Sequence, residues 1–240
     1  ELKVRGERIL IAVGTVPHRP DTIDFTVPNI LDSDGIVSVP KLPRSLTVIG
    51  AGVIGIEYAT IFSALDVAVT VIEPRSSFFD FVDKEIVEEF IHQLRDRGVQ
   101  FRMGSPMTKV EALPTGGIVT TTADGRKVKS EMLLYCAGRM GATSDIGLDK
   151  CGIETDARGR IKVDENTFQT SVRHIYATGD VIGFPSLAST SMEQGRIAAC
   201  HAFEMPLPPA PAYFPYGIYA VPEISTVGLS EQEVRGKGIS

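Results

Sequence analysis

Three glycines and an alanine stand at fixed spacing in the stretch GAGVIGIEYA: Gly50, Gly52, Gly55 and Ala59. The first glycine permits a tight turn, the second lets a phosphate approach the backbone, and the third, with the alanine, lets a helix pack closely on a sheet. A helix that begins at such a turn directs its positive end at the phosphates. Because a strand-like run precedes the stretch and a helix-like run follows it, the pattern predicts a dinucleotide-binding turn.

An acidic and a basic residue follow at the distance where a nucleotide bound to this turn would place its ribose. Glu73 lies 23 residues after Gly50, at the end of the next strand-like run. An acid at this place accepts hydrogen bonds from the adenosine ribose and favours NAD over NADP. Arg75 comes two residues later, beside Ser76 and Ser77, and its guanidinium could instead meet a 2′-phosphate. A solvated turn arginine is the alternative, so the choice of nucleotide stays open.

Two further acids are candidates for binding. Asp180 follows Gly179 at the end of the apolar run in HIYATGDVIG, which suits an acceptor for a sugar or ribitol hydroxyl. Nothing near it in sequence could hold the phosphates of such a ligand, so we expect it to form half of a site. Glu57 comes two residues after Gly55. It either complements the helix dipole or lies near the nicotinamide end of a bound nucleotide.

These side chains need a scaffold of alternating strands and helices. Buried strands are predicted over 45–50, 67–73 and 99–103, and helices over 53–65 and 84–98. The apolar side chains expected on one face of the second helix are Ile86, Val87, Phe90, Ile91 and Leu94. Strand, helix, strand, helix, strand is typical of a parallel sheet, so the predicted fold class is α/β with a Rossmann-like nucleotide domain.

The rest of the chain shows shorter patterns. Apolar runs over 7–14 and 131–138 are strand candidates, and Asp124-Gly125 predicts a two-residue hairpin turn. Residues 20–45 contain several prolines and are predicted to form a loop. A helix is expected over 189–203, followed by a proline-rich connector over 205–215.

Composition excludes several classes of protein. The 240 residues are 43% hydrophobic and 22% charged, as in soluble globular domains. A net charge of −6 argues against nucleic-acid binding, and no apolar run is long enough to suggest a membrane span. Cys136, Cys151 and Cys200 form no metal-binding or disulfide spacing, so each is expected to be a small buried apolar residue in a reducing, cytoplasmic protein. The histidines show no ligand spacing, and no metal site is expected.

Four motifs in order carry a family resemblance: ILIAVG, VIGAGVIGIEYA, LLYCAGR and IYATGDVIG. Together they resemble the flavoprotein pyridine-nucleotide disulfide reductases. The resemblance implies a nicotinamide-nucleotide domain inserted in an FAD domain, here incomplete. It implies FAD-domain and linker residues over 1–40, the NAD(P) domain over 41–149, a second FAD segment over 150–205 and the start of an interface domain over 206–240. The chain begins without Met, so we expect a piece of a longer protein whose second glycine motif precedes Glu1.

The resemblance also assigns binding residues, but no catalytic side chain. For the nicotinamide nucleotide it implies Gly50, Ala51, Gly52, Val53, Ile54, Gly55, Glu57, Glu73 and Gly138, to which the residues themselves add Arg75. For the flavin it implies Gly14, Asp180, Ser186, Leu187 and Ala188, with Asp180 on the ribitol chain and the 189–203 helix directing its N-terminus at the flavin ring.

The sequence leaves three functions open. The stretches GFPSLASTSMEQGRIAA and YGIYAVPEISTVG are similar to family members that exchange hydride between NADPH and NAD⁺ through FAD. The second possibility is a disulfide oxidoreductase of the dihydrolipoamide dehydrogenase kind, whose redox cysteine pair would lie outside this sequence. The third is a non-enzymatic nucleotide-binding module, against which the flavin-side motifs count. For either enzyme the resemblance implies NAD, NADP and FAD as ligands and a homo-oligomer.

Overall fold

The computed structural model describes residues 3–206 and 213–239, and the chain divides into two compact units. The first unit comprises Glu1–Val16 and Arg139–Phe214. The second comprises Pro17–Gly138 and Pro215–Ser240. The second unit is therefore continuous in sequence except for its C-terminal segment.

A five-stranded parallel sheet forms the centre of the second unit. Its strands, in order across the sheet, are β3 (Ile30–Asp32), β10 (Met132–Tyr135), β4 (Ser45–Ile49), β5 (Ala68–Glu73) and β6 (Gln100–Met103). All four neighbouring pairs are parallel. All four residues of β10 and the last four of β4 are buried, as expected for strands that are covered on both faces. The predicted α/β fold class is confirmed.

Helices cover one face of this sheet. They are α1 (Val53–Ala64) and α2 (Lys84–Asp96), each within two residues of its predicted bounds. Val48 and Val71 point to the core on the helix side, whereas their neighbours Ile49 and Ile72 point to the opposite face. This alternation follows from the two-residue period of a strand.

A three-stranded antiparallel sheet lies on the other face. It consists of β7 (Met107–Ala112), β8 (Ile118–Thr122) and β9 (Lys127–Ser130). Ile118 packs there in one apolar cluster with Ile49 and Ile72. The hairpin at Asp124-Gly125 is confirmed, but the predicted two-residue turn is wrong. Only Gly125 adopts a left-handed conformation, at φ +79°, whereas a type I′ turn needs two such residues.

In the second unit, two predictions were wrong and one strand was not predicted. Residues 20–45 contain β3, which pairs with β10 and extends the sheet. β3 has only three residues among several prolines, so its pairing depends on the neighbouring strand rather than on its own pattern. β7 was not predicted. Ile86 was expected in the core but is 44% exposed, because Val87, Phe90 and Leu94 already fill the buried face of α2.

The first unit is built from short elements. They are β1 (Ile9–Ile11), β2 (Thr15–Pro17), β11 (Arg139–Gly141), β12 (Ile175–Ala177) and α3 (Ala188–Ala202). β1 pairs in parallel with β12, and β2 pairs with β11. Ile11, Ile161 and Ile175 belong to the apolar cluster of this unit. The strand predicted in HIYATGD and the helix predicted over 189–203 are confirmed as β12 and α3.

The C-terminal segment adds a hairpin and a short helix to the second unit. They are β13 (Tyr216–Ile218), β14 (Ile224–Thr226) and α4 (Glu231–Gly236). Ile218 and Ile224 join the core cluster beneath α1 and α2. The proline-rich connector predicted over 205–215 lies partly outside the described residues. Within the part of the chain that the structure describes, no helix has the length and apolar character needed to cross a membrane.

Candidate functional site

The predicted nucleotide-binding residues gather at the carboxyl edge of the parallel sheet. Ile49 at the end of β4 pairs with Tyr135 of β10 on one side and Ile72 of β5 on the other. Because these strands are parallel, the glycine turn after β4 and Glu73 at the end of β5 lie at one edge. In open α/β sheets, ligands bind beyond the carboxyl ends of the strands.

Gly50 and Gly55 are required by close backbone packing. Gly50 has φ +101°, and a Cβ atom there would lie 2.9 Å from the Cys136 carbonyl oxygen. A Cβ atom on Gly55 would lie 2.1 Å from the Gly50 carbonyl oxygen. The first turn of α1 therefore rests directly on the glycine turn, which only glycine at both positions allows.

Gly52, unlike Gly50 and Gly55, is not required by backbone packing within the chain. Its φ of −71° suits any residue, and a Cβ atom there would meet no atom of the described chain within 4 Å. It is the N-cap of α1, and the first helical hydrogen bond runs from the Ile56 amide to the Gly52 carbonyl at 3.0 Å. The amides of Val53, Ile54 and Gly55 have no intrahelical partner, as at every helix N-terminus. The space over Gly52 and the positive end of α1 form a cradle that fits a phosphate.

Ala51 connects this turn to the acid of β5. Ala51 is fully buried, and its amide donates to Glu73 Oε2 at 2.7 Å. Glu73 is only 4% exposed. The carboxylate thus fixes the conformation of the glycine turn as well as lying beside it.

Arg75 pairs with Glu73 instead of pointing away from it. Its backbone amide donates to Glu73 Oε1 at 3.1 Å. Its side chain donates from Nε to Oε1 at 2.8 Å and from Nη2 to Oε2 at 3.3 Å. Burial raises the pKa of Glu73, but the hydrogen bonds from Arg75 and Ala51 outweigh burial and leave the pKa below its ordinary value. Glu73 and Arg75, which were predicted to bind a ribose and a 2′-phosphate respectively, instead bind each other in a bidentate ion pair.

Glu57 lies in the second turn of α1, outside the first turn where an acid best complements the helix dipole. One of its carboxylate oxygens accepts a hydrogen bond from the Tyr219 amide at 2.9 Å. This contact joins α1 to β13–β14, which sequence reasoning did not anticipate. A contact with the nicotinamide remains a prediction.

Gly138 follows β10 at the same edge of the sheet. It has φ +118°, and its carbonyl accepts a hydrogen bond from the His18 amide at 3.1 Å. Two residues earlier, Cys136 lies directly behind the glycine turn, since a Cβ on Gly55 would be 3.4 Å from the Cys136 Cβ. Cys136 and Cys200 are partly buried and Cys151 is exposed, so the expectation of three buried cysteines was wrong. Cys151 is exposed because it ends a short 3-10 helix at the surface.

Sequence reasoning missed a second ion pair at this edge. Asp32 ends β3, is 1% exposed and accepts a hydrogen bond from Arg19 Nε at 2.6 Å. The amides of Asp34 and Gly35 donate to its other oxygen at 3.1 and 2.9 Å. Burial raises the pKa of Asp32, yet these hydrogen bonds lower it overall. The sequence signal for this site is an acid directly after the apolar pair Ile30-Leu31, as at the end of a buried strand. It was missed because residues 20–45 were predicted to form a loop.

The predicted flavin-side acid lies at the end of β12 in the first unit. Asp180 is half-buried in a short 3-10 helix, Gly179–Ile182, that follows β12. Gly179 has φ +79°, and its amide donates to Gln194 Oε1 of α3 at 2.8 Å. Within residues 3–206 and 213–239, no hydrogen-bond partner is present for the Asp180 carboxylate. The acid is therefore positioned by its neighbours while its oxygens stay free to accept.

The other predicted flavin-side residues lie in two turns of the first unit, one at Gly14 and one just before α3. Gly14 has φ +68°, and its carbonyl accepts from the Ala142 amide at 3.0 Å. Ser186, at φ +51°, donates from its hydroxyl to the Gly183 carbonyl at 2.8 Å. Leu187 is the N-cap of α3, so the amides from Ala188 onward form the free N-terminus of a 15-residue helix. That terminus carries the positive end of the helix dipole, and its direction toward a flavin ring remains a prediction.

The family model for pyridine nucleotide-disulphide oxidoreductases matches residues 1–195. The match covers most of the chain and includes both the glycine turn and Asp180. The chain therefore belongs to the pyridine nucleotide-disulphide oxidoreductase family.

Individual curated proteins of known name are also similar to this chain. A protein named soluble pyridine nucleotide transhydrogenase from Mycobacterium bovis (strain BCG / Pasteur 1173P2) is 50% identical over 236 residues, which is 98% of this chain and 50% of that protein. A protein of the same name from Marinomonas sp. (strain MWYL1) is 42% identical over the same shares of the two chains. The chain spans about half the length of these curated relatives.

Solved structures agree on the fold. The HOCl-induced flavoprotein disulfide reductase RclA from Escherichia coli superposes with a TM-score of 0.90 and 27% identity, over 99% of this chain and 55% of that chain. LpdA from Mycobacterium tuberculosis superposes with a TM-score of 0.89 and 27% identity, over 97% of this chain and 50% of that chain. Both chains, like the curated relatives, are about twice as long as this one.

Proposed function

We propose that the intact protein exchanges hydride between NADPH and NAD⁺ through bound FAD. The observation that carries this proposal is the Glu73–Arg75 pair beside a glycine turn. Exchange requires a site that accepts a nucleotide with a 2′-phosphate and one without it, and the pair places a carboxylate and a guanidinium side by side. The 50% identity to a protein named transhydrogenase supports the same assignment.

The nicotinamide nucleotide is assigned to the carboxyl edge of the parallel sheet. The residues proposed to hold it are Gly50, Ala51, Gly52, Val53, Ile54, Gly55, Glu57, Glu73, Arg75 and Gly138. In this assignment the pyrophosphate contacts the backbone over Gly52 and the amides that begin α1. Glu73 and Arg75 meet the adenosine ribose, and Glu57 and Gly138 lie toward the nicotinamide.

The flavin is assigned to the first unit through Gly14, Asp180, Ser186, Leu187 and Ala188. The Asp180 carboxylate, which has no hydrogen-bond partner among the described residues, fits the hydroxyls of a ribitol chain. The N-terminus of α3 fits a group that carries negative charge. When bound, the flavin supplies the ring through which hydride passes between nucleotides. The side chains of this chain bind and orient, and none is assigned a catalytic role. The proposal includes no metal ion, and the protein is proposed to be a cytoplasmic homo-oligomer.

A disulfide oxidoreductase is the competing assignment, since RclA is named a disulfide reductase. RclA is 27% identical to this chain, whereas the relatives named transhydrogenase reach 42–50%. The higher identity favours hydride exchange between nucleotides.

The proposal predicts that hydride exchange follows bound flavin. Asp180→Ala in the intact protein removes a charged acceptor, which we expect to weaken flavin binding by about 1.5–3 kcal/mol. Transfer from NADPH to thio-NAD⁺ per chain should fall in proportion to bound flavin, measured by absorbance. NAD⁺ binding, measured by calorimetry, should be largely unchanged, because that site belongs to the other unit.

Asp145→Ala is the matched control, because Asp145 is an exposed acid of the same unit. It should leave flavin content and transfer unchanged. If the Asp180→Ala protein loses flavin but keeps wild-type transfer per chain, hydride does not pass through flavin and the proposed function is wrong. If flavin content does not change, the assignment of Asp180 is wrong.

A further inference from the structure

The Glu73 carboxylate has no acceptor position left for a ligand. Its Oε2 atom accepts from the Ala51 amide at 2.7 Å and from Arg75 Nη2 at 3.3 Å. Its Oε1 atom accepts from the Arg75 amide at 3.1 Å and from Arg75 Nε at 2.8 Å. A carboxylate offers about four lone-pair positions, and all are taken within this chain. A ribose diol can therefore reach Glu73 only by displacing a donor.

The Arg75 side chain is the donor that can leave. Its backbone is held on both sides, since its amide donates to Glu73 and its carbonyl accepts from the Gly104 amide at 3.0 Å. The side chain of Arg75 is 52% exposed, whereas that of Glu73 is 5% exposed. The guanidinium can turn into water by side-chain rotation alone. The carboxylate stays in place beneath it, still bonded to Ala51.

The closed pair still presents donors outward. A guanidinium has five N–H bonds, and Glu73 takes one from Nε and one from Nη2. Three N–H bonds are not used by Glu73, on a side chain that is 52% exposed. A phosphate can accept two of them in the planar geometry that guanidinium groups favour. A 2′-phosphate can thus bind without opening the pair.

We propose that Arg75 masks Glu73 in the nucleotide-free protein, so that NADP(H) binds the closed pair while NAD(H) must displace the guanidinium to reach the carboxylate. Arg75 is then the residue that sets the ratio of the two affinities at a shared site. This inference rests on the proposed function, in which one protein uses both nucleotides. It differs from a plain phosphate-binding role for Arg75, because it gives Arg75 an effect on the nucleotide that has no 2′-phosphate.

The test is calorimetric titration of the intact, oxidised protein with NADP⁺ and with NAD⁺, where no hydride is transferred. In Arg75→Ala we expect NADP⁺ to bind at least tenfold more weakly and NAD⁺ to bind about threefold to tenfold more tightly. Arg75→Gln, which keeps a polar side chain over Glu73, should shift both affinities in the same directions by less. If NAD⁺ binds Arg75→Ala with unchanged or lower affinity, the mask does not exist.

Two controls separate the mask from general charge effects. Arg44→Ala removes an equal charge at the opposite end of β4, where the side chain is 92% exposed, and should change neither affinity. Glu73→Gln keeps an acceptor for Ala51 but removes the masked charge. In that background Arg75→Ala should no longer improve NAD⁺ binding, and a gain that persists would overturn the inference.

The two proposals fail separately. A protein that shows these shifts in NAD⁺ and NADP⁺ affinity but transfers no hydride would contradict the proposed function and leave the mask intact. A protein that exchanges hydride while Arg75→Ala leaves NAD⁺ affinity unchanged would contradict the mask alone.

Discussion

At the scale of single residues, substitutions at Gly52 and Gly55 should have different effects, on nucleotide binding and on folding respectively. A side chain at Gly52 meets open space in the protein, whereas one at Gly55 would collide with the Gly50 carbonyl at 2.1 Å. We therefore expect Gly52→Val to weaken nucleotide binding at least tenfold, because the branched side chain would fill the space assigned to the pyrophosphate. Calorimetry with NADP⁺ and NAD⁺ measures this loss.

Thermal unfolding supplies the control for Gly52→Val. Loss of a glycine N-cap should cost roughly 1 kcal/mol at most, which is a few degrees in Tm for a chain of this size. Gly55→Ala should be far more destabilising, since its Cβ meets backbone that cannot move aside. Wild-type affinity in a folded Gly52→Val protein would remove the glycine turn from the site.

Residue spacing alone predicted the glycine turn, because each glycine answers a local requirement of backbone geometry. The same spacing predicted where Glu73 stands but not what it contacts. The bidentate bond from Arg75 depends on side-chain rotamers at the end of β5, and the sequence EPR is equally consistent with an arginine in solvent. Asp180 has no hydrogen-bond partner among the described residues, and its binding role remains a prediction.

At the scale of elements, the C-terminal segment is bonded to the helix that begins at the glycine turn. The Val221 amide donates to Thr60 Oγ1 at 3.0 Å, and the Tyr219 amide donates to Glu57. Arg97 Nη1 donates to the Val221 carbonyl at 2.9 Å, just after α2. These three bonds attach α1 and the end of α2 to the loop between β13 and β14.

We expect Thr60→Val to loosen this attachment. Thr60 is fully buried and valine has nearly its shape, so the main change is an unpaired amide at Val221, which costs about 1–3 kcal/mol. Denaturant unfolding measures the lost stability, and hydrogen exchange at the Val221 amide locates it. Thr108→Val is the control, since Thr108 is an exposed threonine whose hydroxyl bonds to the Thr121 carbonyl. Equal exchange in the Thr60→Val protein and wild type would contradict the proposed attachment.

Long elements with a clear period were predictable and short ones were not. The buried runs of β4 and β5 and the amphipathic face of α2 could be predicted from the local sequence pattern. β3 has three residues and depends on β10, about a hundred residues later in the chain, for its hydrogen bonds. The contact between Glu57 and Tyr219 joins residues 162 apart in sequence, so no local pattern could reveal it.

At the scale of the whole molecule, the order of four short motifs predicted the family before any contact was known. Each motif lies after a strand: Gly14 follows β1, Gly50 follows β4, Gly138 follows β10 and Asp180 follows β12. The division into compact units depends instead on pairings such as Ile9 with Ile175, which bring distant residues together. The predicted domain boundaries therefore remain proposals.

Flavin absorbance shows directly whether hydride passes between the two nucleotides through flavin. The intact, purified protein is made anaerobic, and its flavin absorbance is followed as NADPH and then excess NAD⁺ are added. We expect NADPH to bleach the flavin absorbance and NAD⁺ to restore it, with no disulfide present. Absence of flavin, or restoration by a disulfide such as lipoamide but not by NAD⁺, would show that hydride does not pass between the nucleotides through flavin.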